Sequence, residues 1–141
     1  MSHFLANGNI YLGIYWVPYS SVPFLINNNM KIINFNLLPE VPVSHDQPIK
    51  KKVIIPSGDI AGLQFFSHVV MLPNDRTSAH SHKTMYEVFY AESGRVTFNI
   101  DGKKFVVKKG DTIIIEPGEV HFQYNPYKHK VSLLYFGIAT K

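Results

Sequence analysis

Hydrophobic and polar residues alternate in short runs through the second half of the chain. The pattern is clearest in RVTFNI, residues 95–100, where every second residue is apolar. A period of two is typical of a β-strand that buries one face. Similar runs rich in Val, Ile, Phe and Tyr predict strands at residues 53–55, 63–72, 86–92, 95–100, 105–107, 112–115, 120–124 and 131–138.

Turn residues separate these runs. Asp101-Gly102 stands between two of them and is the dipeptide that a type I′ hairpin favours. Many short strands at this spacing indicate an all-β sandwich or barrel. No internal duplication is visible, so one small barrel is expected.

The first half of the chain follows another pattern. Residues 31–48 are apolar but interrupted by three prolines, which suits an extended edge segment and excludes a helix interior. Residues 1–30 contain no Lys, Arg, Asp or Glu. We expect an N-terminal extension over residues 1–29, either an arm that packs on the barrel or on a neighbouring subunit, or the product of a start placed before Met30. Residues 30–141 are expected to form a single barrel domain.

No membrane segment or signal peptide is expected in the N-terminal extension. Its apolar stretch, residues 10–17, ends at Pro18 and is much shorter than the roughly 20 residues of a membrane span. A basic n-region and a small-residue cleavage site are also missing.

Composition narrows the class of protein. With 141 residues, 45% hydrophobic and 17% charged, the chain suits one globular domain. The absence of cysteine excludes disulfides and thiolate metal sites and fits a reducing compartment, so we expect a cytoplasmic location. The net charge of +4 comes largely from lysines at 50–52, 103–104 and 108–109. We interpret these as residues of turns and exposed strand edges and expect no nucleic-acid partner.

The stretch AHSHKTMYEVFY, residues 79–90, contains candidate metal ligands. In a strand, His80 and His82 lie on one face with Cα atoms about 6.6 Å apart. Two imidazoles at that separation can share one divalent ion at about 2.0 to 2.1 Å. The pair by itself is weak evidence, since an H-x-H spacing also arises by chance.

Two further residues complete a candidate set. Glu87 shares its strand parity with Met85 and Phe89, which predicts an inward carboxylate whose burial a metal would relieve. The alternative is that it faces outward. His121 follows the turn Pro117-Gly118 and is either a fourth ligand or an ordinary hydrogen-bonded histidine.

Residues 74–125 resemble the two motifs of the cupin superfamily, G-x5-H-x-H-x3,4-E-x6-G and G-x5-P-x-G-x2-H-x3-N. The first motif's leading glycine is Asn74 here, and the second motif's proline is Glu116. Asn tolerates left-handed backbone, and Glu116 either acts on a substrate near the barrel mouth or faces solvent. The positions that match are His80, His82, Glu87, Gly94, Gly110, Gly118, His121 and Asn125.

The resemblance implies an all-β double-stranded β-helix, or jelly-roll, often paired as a homodimer. It implies a divalent transition metal, Fe, Mn, Ni, Co or Zn, held by His80, His82, Glu87 and His121. Three imidazoles and one carboxylate leave a six-coordinate metal two open positions, whereas zinc could be saturated.

Several functions remain open for such a site. The leading hypothesis is a metal-dependent enzyme of the dioxygenase type acting on a small organic molecule, with Glu87 as a possible base. The alternatives are a non-catalytic metal-binding or small-ligand-sensing cupin and a sugar-phosphate isomerase or epimerase. The predicted pocket residues are Met85, Phe89, Phe98 and Gln123.

Overall fold

The computed structural model describes residues 9–12, 15–18, 24–27, 30–43 and 46–141, the first three segments and Gln47 only as backbone. The extension predicted at residues 1–29 lies outside the described residues apart from three short strands, so its role as an arm or an early start stays a prediction. The strands are β1 (Asn9–Leu12), β2 (Tyr15–Pro18), β3 (Phe24–Asn27), β4 (Met30–Ile33), β5 (Val41–Val43), β6 (Asp46–Ile55), β7 (Leu63–Met71), β8 (Met85–Ser93), β9 (Arg95–Ile100), β10 (Lys103–Lys108), β11 (Thr112–Ile115), β12 (His121–Tyr124) and β13 (Val131–Ala139).

Two antiparallel sheets build the barrel in the described part of the chain. The larger has the strand order β11-β8-β13-β7-β6-β5, and the smaller has the order β10-β9-β12. β1 pairs with β2, and β3 pairs with β4, in two separate hairpins. The chain passes repeatedly between the six-stranded and the three-stranded sheet, so residues far apart in sequence meet in the interior. The all-β prediction is confirmed.

The predicted strands agree with the observed ones from β7 onward. The main difference precedes them: β6 begins at Asp46, so it includes residues 46–48 of the predicted edge segment and residues 49–52, for which no strand was predicted. Pro48 is tolerated within this strand because the pairing of β5 with β6 shifts register between Pro42 and Val43. At such an irregularity one residue makes no ladder hydrogen bond. Proline is accepted there because it has no amide proton to donate. A short 3-10 turn, Phe35–Leu37, lies between β4 and β5.

Local backbone chemistry accounts for the turns. Asp101 and Gly102 both have positive φ, 47° and 81°, as a type I′ turn requires, and the flanking residues Ile100 and Lys103 pair. Asn74 adopts φ 72°, so asparagine provides the left-handed conformation at the motif position usually held by glycine. At Gly94 (φ 71°) a Cβ would lie 2.6 Å from the carbonyl oxygen of Lys130, which only glycine avoids.

Inward side chains of both sheets form one apolar core. Phe89 of β8 and Phe98 of β9 meet edge to face, with ring centroids 5.0 Å apart. Phe89 also stacks on Tyr135 of β13 at 5.0 Å. Because these strands come from both sheets, their burial joins the two layers. The other fully buried apolar residues are Met71, Ala91, Val96, Ile115, Val131 and Leu133.

In the described residues, no helix combines the length and the apolar character needed to cross a lipid bilayer.

Candidate metal centre

His80 and His121 are brought together by the backbone. The amide of His80 donates to the carbonyl oxygen of His121 at 3.0 Å, and the amide of His121 donates back at 2.8 Å. This reciprocal pair is an isolated antiparallel bridge, which joins the segment before β8 to the start of β12. The amide of Gly118 also donates to the carbonyl oxygen of His82 at 2.8 Å. The two sequence motifs are therefore linked next to their histidines.

Glu87 reaches the same place from the larger sheet. It lies on β8 between Ile115 of β11 and Gly137 of β13 and is 5% exposed. Its Oε2 lies 2.9 Å from His121 Nε2 and 3.6 Å from His82 Nε2. One donor atom from each of His80, His82, Glu87 and His121 lies within 4.8 Å of the others. The alternative of an outward Glu87 is wrong.

Hydrogen bonds orient two of the imidazoles. His80 Nδ1 lies 2.9 Å from the carbonyl oxygen of Ser78, and His121 Nδ1 lies 3.0 Å from that of Glu119. A carbonyl oxygen only accepts, so each Nδ1 carries a proton. In the neutral ring, the Nε2 of His121 then directs a lone pair at the Glu87 carboxylate. Two acceptors at 2.9 Å require a cation between them, either a proton or a metal ion.

The electrostatics favour an ionised carboxylate in the cluster. Burial alone would raise the pKa of Glu87, but its contacts with His121 and His82 hold that pKa at about 2. Burial lowers the pKa of His121, yet the hydrogen bond to Glu87 outweighs it and leaves the His121 pKa raised. Burial lowers the pKa of His80, which keeps its ring neutral and suited to ligation. The cluster has one fixed negative charge facing three imidazoles.

A cavity of about 90 Å³ opens beside this cluster. Of the four predicted pocket residues, Phe89 and Gln123 line it. Phe98 lies behind Phe89 in the core, and Met85 fills the space above Gly137, so neither is part of the lining. The remaining lining residues are Val43, Asp46, Lys51, Phe65, Val69, Met71, Thr77, His80, His82, Glu87 and Tyr135.

Several lining residues were not expected from the sequence. Lys51 was interpreted as one of three surface lysines, but it faces the cavity, whereas the adjacent Lys50 is exposed. The physical reason is strand alternation in β6, where Ile49 and Lys51 share the inner face. Tyr135 likewise shares its parity with the buried Leu133 of β13. Extending the period-two pattern to these strands would have indicated both residues.

Asp46 ties the cavity wall to the histidine segment. Its Oδ1 accepts hydrogen bonds from the amide and the hydroxyl of Ser78 at 2.8 and 2.6 Å. The carbonyl oxygen of Ser78 in turn accepts from His80 Nδ1. A chain of hydrogen bonds thus connects β6 to a candidate ligand. Glu116, by contrast, is exposed and does not line the cavity, and its amide donates to Glu119 Oε2 at 2.8 Å.

Comparison with known proteins identifies the family. The model of the Cupin domain family matches residues 67–137, half of the 141-residue chain. The chain belongs to the cupin family. The matched region contains all four residues of the candidate metal centre, and the resemblance seen in the sequence is confirmed.

Related sequences and solved structures match most of this cupin. The uncharacterized protein MJ1618 of Methanocaldococcus jannaschii is 28% identical over 102 residues, 62% of this chain and 82% of that protein. A predicted oxalate decarboxylase from Thermotoga maritima superposes with a TM-score of 0.70 at 18% identity, covering 77% of this chain and 98% of the other. The polyketide cyclase RemF of Streptomyces resistomycificus gives a TM-score of 0.67 at 20% identity, covering 77% and 79%. At such identities the solved structures establish the jelly-roll fold and not the activity.

Proposed function

We propose that this cupin is a metal-dependent enzyme of the dioxygenase type that acts on a small organic molecule. The observation that supports the proposal is the convergence of four donor atoms, all within 4.8 Å of one another, beside a cavity. Structural metal sites are closed, whereas catalytic sites keep positions open toward a substrate. A cavity next to the donor set favours the second kind of site.

The residues fit a divalent transition metal. His80, His82, Glu87 and His121 would hold it, and the lone pair of His121 that faces Glu87 already calls for a cation. Three imidazoles and one carboxylate suit Fe, Mn, Ni or Co, and also Zn. The bound ion would supply Lewis-acid chemistry and, for iron, manganese or nickel, redox chemistry with dioxygen.

The protein contributes orientation and a partly apolar environment. The Nδ1 hydrogen bonds fix the rings of His80 and His121, which reduces the reorganisation needed for ligation. Phe89, Val69 and Met71 form apolar walls that limit water around the donors. Burial and the nearby Glu87 carboxylate raise the pKa of Tyr135, which lines the cavity, so its phenol stays protonated.

Glu87 has a more restricted part in acid–base chemistry. A carboxylate whose pKa is held at about 2 is a weak base, so we assign it mainly to charge balance and binding. It becomes a proton acceptor at Oε2 only when it separates from His121. Proton transfer from a substrate hydroxyl to Oε2 would accompany such a movement.

The size of the cavity bears on which cofactors the reaction could use. A dioxygenase that cleaves a carbon–carbon bond and places both atoms of dioxygen in the products needs no external reductant. A cavity of about 90 Å³ is well below the roughly 300 to 1,000 Å³ typical of organic ligand sites, and too small for a nicotinamide or flavin. The same size disfavours a sugar phosphate.

Two measurements test the proposal in order. Elemental analysis of purified protein should give about one transition-metal ion per chain. Protein that contains no transition metal would contradict the metal centre. Oxygen uptake against a panel of small enols, diketones and hydroxy acids should depend on the bound metal, with 18O from labelled dioxygen in the products. If the protein contains metal but consumes no oxygen with any compound of the panel, the non-catalytic binding and isomerase alternatives would be favoured.

A further inference from the structure

The six-stranded sheet has an apolar outer face. Alternate residues of β7, β8, β11 and β13 point away from the core, and we call their outward side chains the outer sheet face. One row of this face crosses all four strands through paired positions, which hold Ile114, Val88, Phe136 and Phe66. Ile114 is 59% exposed, and Ile138 on β13 is 43% exposed. Contiguous apolar side chains that stay in contact with water mark an interaction site.

The outer sheet face is small for a contact between two barrels. Side chains on one face of a strand recur every ~6.6 Å and strands lie ~4.8 Å apart, so three rows on four strands cover roughly 400 Å². A stable interface between two proteins buries about 800 Å² on each partner. Glu92 ends the apolar area on one side, where it accepts a hydrogen bond from Ser132 and pairs with His68. The face therefore fits a short apolar segment better than a second barrel.

Residues 1–29 have the composition of such a segment. They contain no Lys, Arg, Asp or Glu, and 16 of the 29 are hydrophobic. In the described part of the chain, the hairpins β1-β2 and β3-β4 pair with neither large sheet. A two-stranded hairpin by itself is at best marginally stable in water, and packing against another layer stabilises it. The aromatic residues that such packing would bury are Phe4, Tyr11, Tyr15, Trp16, Tyr19 and Phe24.

The chain that follows this segment is anchored on the outer sheet face. The ring of Phe35 meets that of His68 on β7 edge to face, with centroids 4.9 Å apart. His68 points outward, because it alternates with the buried Ser67 and Val69. Lys52 of the adjacent β6 donates to the Phe35 carbonyl oxygen at 3.3 Å. From β7 to the far strand β11 the distance is only three strands, or ~14 Å, about the length of one four-residue strand. Residues 1–29 can therefore reach the whole face.

We propose that residues 1–29 pack on the outer sheet face of their own barrel. They cover Ile114 and Ile138 and add a third layer on the side of the sheet that faces away from Glu87 and the metal centre. The anchor at Phe35 favours the segment's own barrel over a neighbouring copy, because a short connection gives an effective concentration on the order of millimolar. This inference does not depend on the proposed function.

The fluorescence of Trp16 tests the proposal in the whole chain, because this residue is the only tryptophan. In the unaltered protein we expect emission at a shorter wavelength than that of free N-acetyltryptophanamide. We also expect a several-fold smaller constant for quenching by acrylamide, since docking removes the indole from water. Both values should be independent of protein concentration, as an intramolecular contact requires. Emission and quenching equal to those of the free compound would overturn the inference, and this comparison needs no variant to fold.

Ile114→Lys tests which surface covers the segment. A lysine at this position would be buried by the docked segment, so the segment should be displaced and the Trp16 quenching constant should rise several-fold. Val106→Lys is the matched control, because Val106 is also β-branched, is 58% exposed and lies on the edge strand β10 of the other sheet. It should leave the quenching unchanged. Ile138→Lys repeats the test on β13, and circular dichroism verifies that each variant is folded. Equal quenching in the folded Ile114→Lys and Val106→Lys variants would contradict docking on this face.

Analytical ultracentrifugation of the same samples distinguishes the other possible occupants. If Ile114→Lys dissociates a dimer and leaves Trp16 quenching unchanged, a second copy covers the face. If dilution of the unaltered protein dissociates a dimer and exposes Trp16 at the same time, the segment docks on a neighbouring copy. Either result would overturn the proposal.

Discussion

The inner face of β8 divides into two regions with different physics. Glu87, Phe89 and Ala91 share one parity and are 5%, 1% and 0% exposed. The barrel is filled at Ala91, and Phe89, whose ring centroid lies 5.0 Å from those of Phe98 and Tyr135, forms the boundary between this core and the cavity. Around Glu87 the barrel opens into the cavity and collects three histidines. Residues of similar burial on one strand therefore have different roles: Ala91 packs in the apolar core, whereas Glu87 meets the three histidines.

The difference concerns what each region contributes to folding. The apolar region stabilises the barrel through buried area and close packing. The polar region places imidazole lone pairs and a carboxylate together, an arrangement that opposes folding unless a cation is shared. Substitutions in the first region should therefore change the free energy of unfolding, and substitutions in the second should change metal binding.

The largest effect is expected in the apolar region. Phe98→Ala should lower the free energy of unfolding by about 3 to 5 kcal/mol, because a fully buried ring between the sheets is replaced by a void. Phe105, which pairs with Phe98 on the neighbouring strand but is 45% exposed, is the matched control. Phe105→Ala should cost about 1 kcal/mol or less. Denaturant unfolding measures both, and equal losses would contradict the assignment of the core.

Removal of a ligand should affect metal and leave the fold. His121→Ala deletes an imidazole that is 1% exposed and 2.9 Å from Glu87. We expect metal affinity to fall at least about 100-fold, more than the loss of an outer hydrogen-bond partner causes. Elemental analysis and circular dichroism report on the two properties separately. His129→Ala, at an exposed position, is the control and should retain the metal; full metal content in His121→Ala would remove that residue from the site.

The free energy of unfolding of the metal-free protein should depend on pH through the polar region. The Glu87 pKa is lowered from 4.5 to about 2, so its stabilising contribution is present above pH 4.5 and is lost as the pH falls toward 2. The His121 pKa is raised from 6.5, so that contribution is present below pH 6.5 and is lost as the pH rises through the folded value. The pair should contribute most between about pH 4.5 and 6.5.

Glu87→Gln tests this window. The difference in unfolding free energy from the unaltered protein should reach at most about 3 kcal/mol inside it, the equivalent of the shift in the Glu87 pKa. It should shrink on both sides. The exposed Glu116→Gln should show no such profile, and a difference for Glu87→Gln that is flat with pH would argue against the Glu87–His121 pair.

The smallest effect is expected at the hydrogen-bond chain that supports His80. Asp46→Ala removes the acceptor of both Ser78 hydrogen bonds and loosens the segment that precedes His80. Metal affinity should fall roughly tenfold, as for other partners that orient a ligand. Asp59→Ala, which loses only a surface ion pair with Lys31, should leave affinity unchanged. A metal titration against a competing chelator compares the two, and indistinguishable curves would contradict an orienting role for Asp46.

Local sequence accounts for much of the barrel. Strands β7 to β13 follow from the period-two pattern, because alternate residues of a strand necessarily face opposite sides. The Asp101-Gly102 turn and the left-handed Asn74 follow from the backbone preferences of those residue types. β6 was missed over residues 46–52, because the register shift that admits Pro48 depends on the neighbouring strand β5 and not on local pattern.

The candidate ligands were found in the sequence because their spacing is local to two short motifs. Glu87 and His121 are 34 residues apart and lie on strands of different sheets, β8 and β12, so their approach to 2.9 Å was decided by the packing of the two sheets against each other. Likewise, the alternation of β6 places Lys51 on the inner face together with Ile49, but only the closure of the barrel brings it to the cavity that Glu87 also lines. Side-chain direction within a strand is fixed by neighbouring residues, whereas the side chains that it meets across the interior depend on the long-range closure of the two sheets.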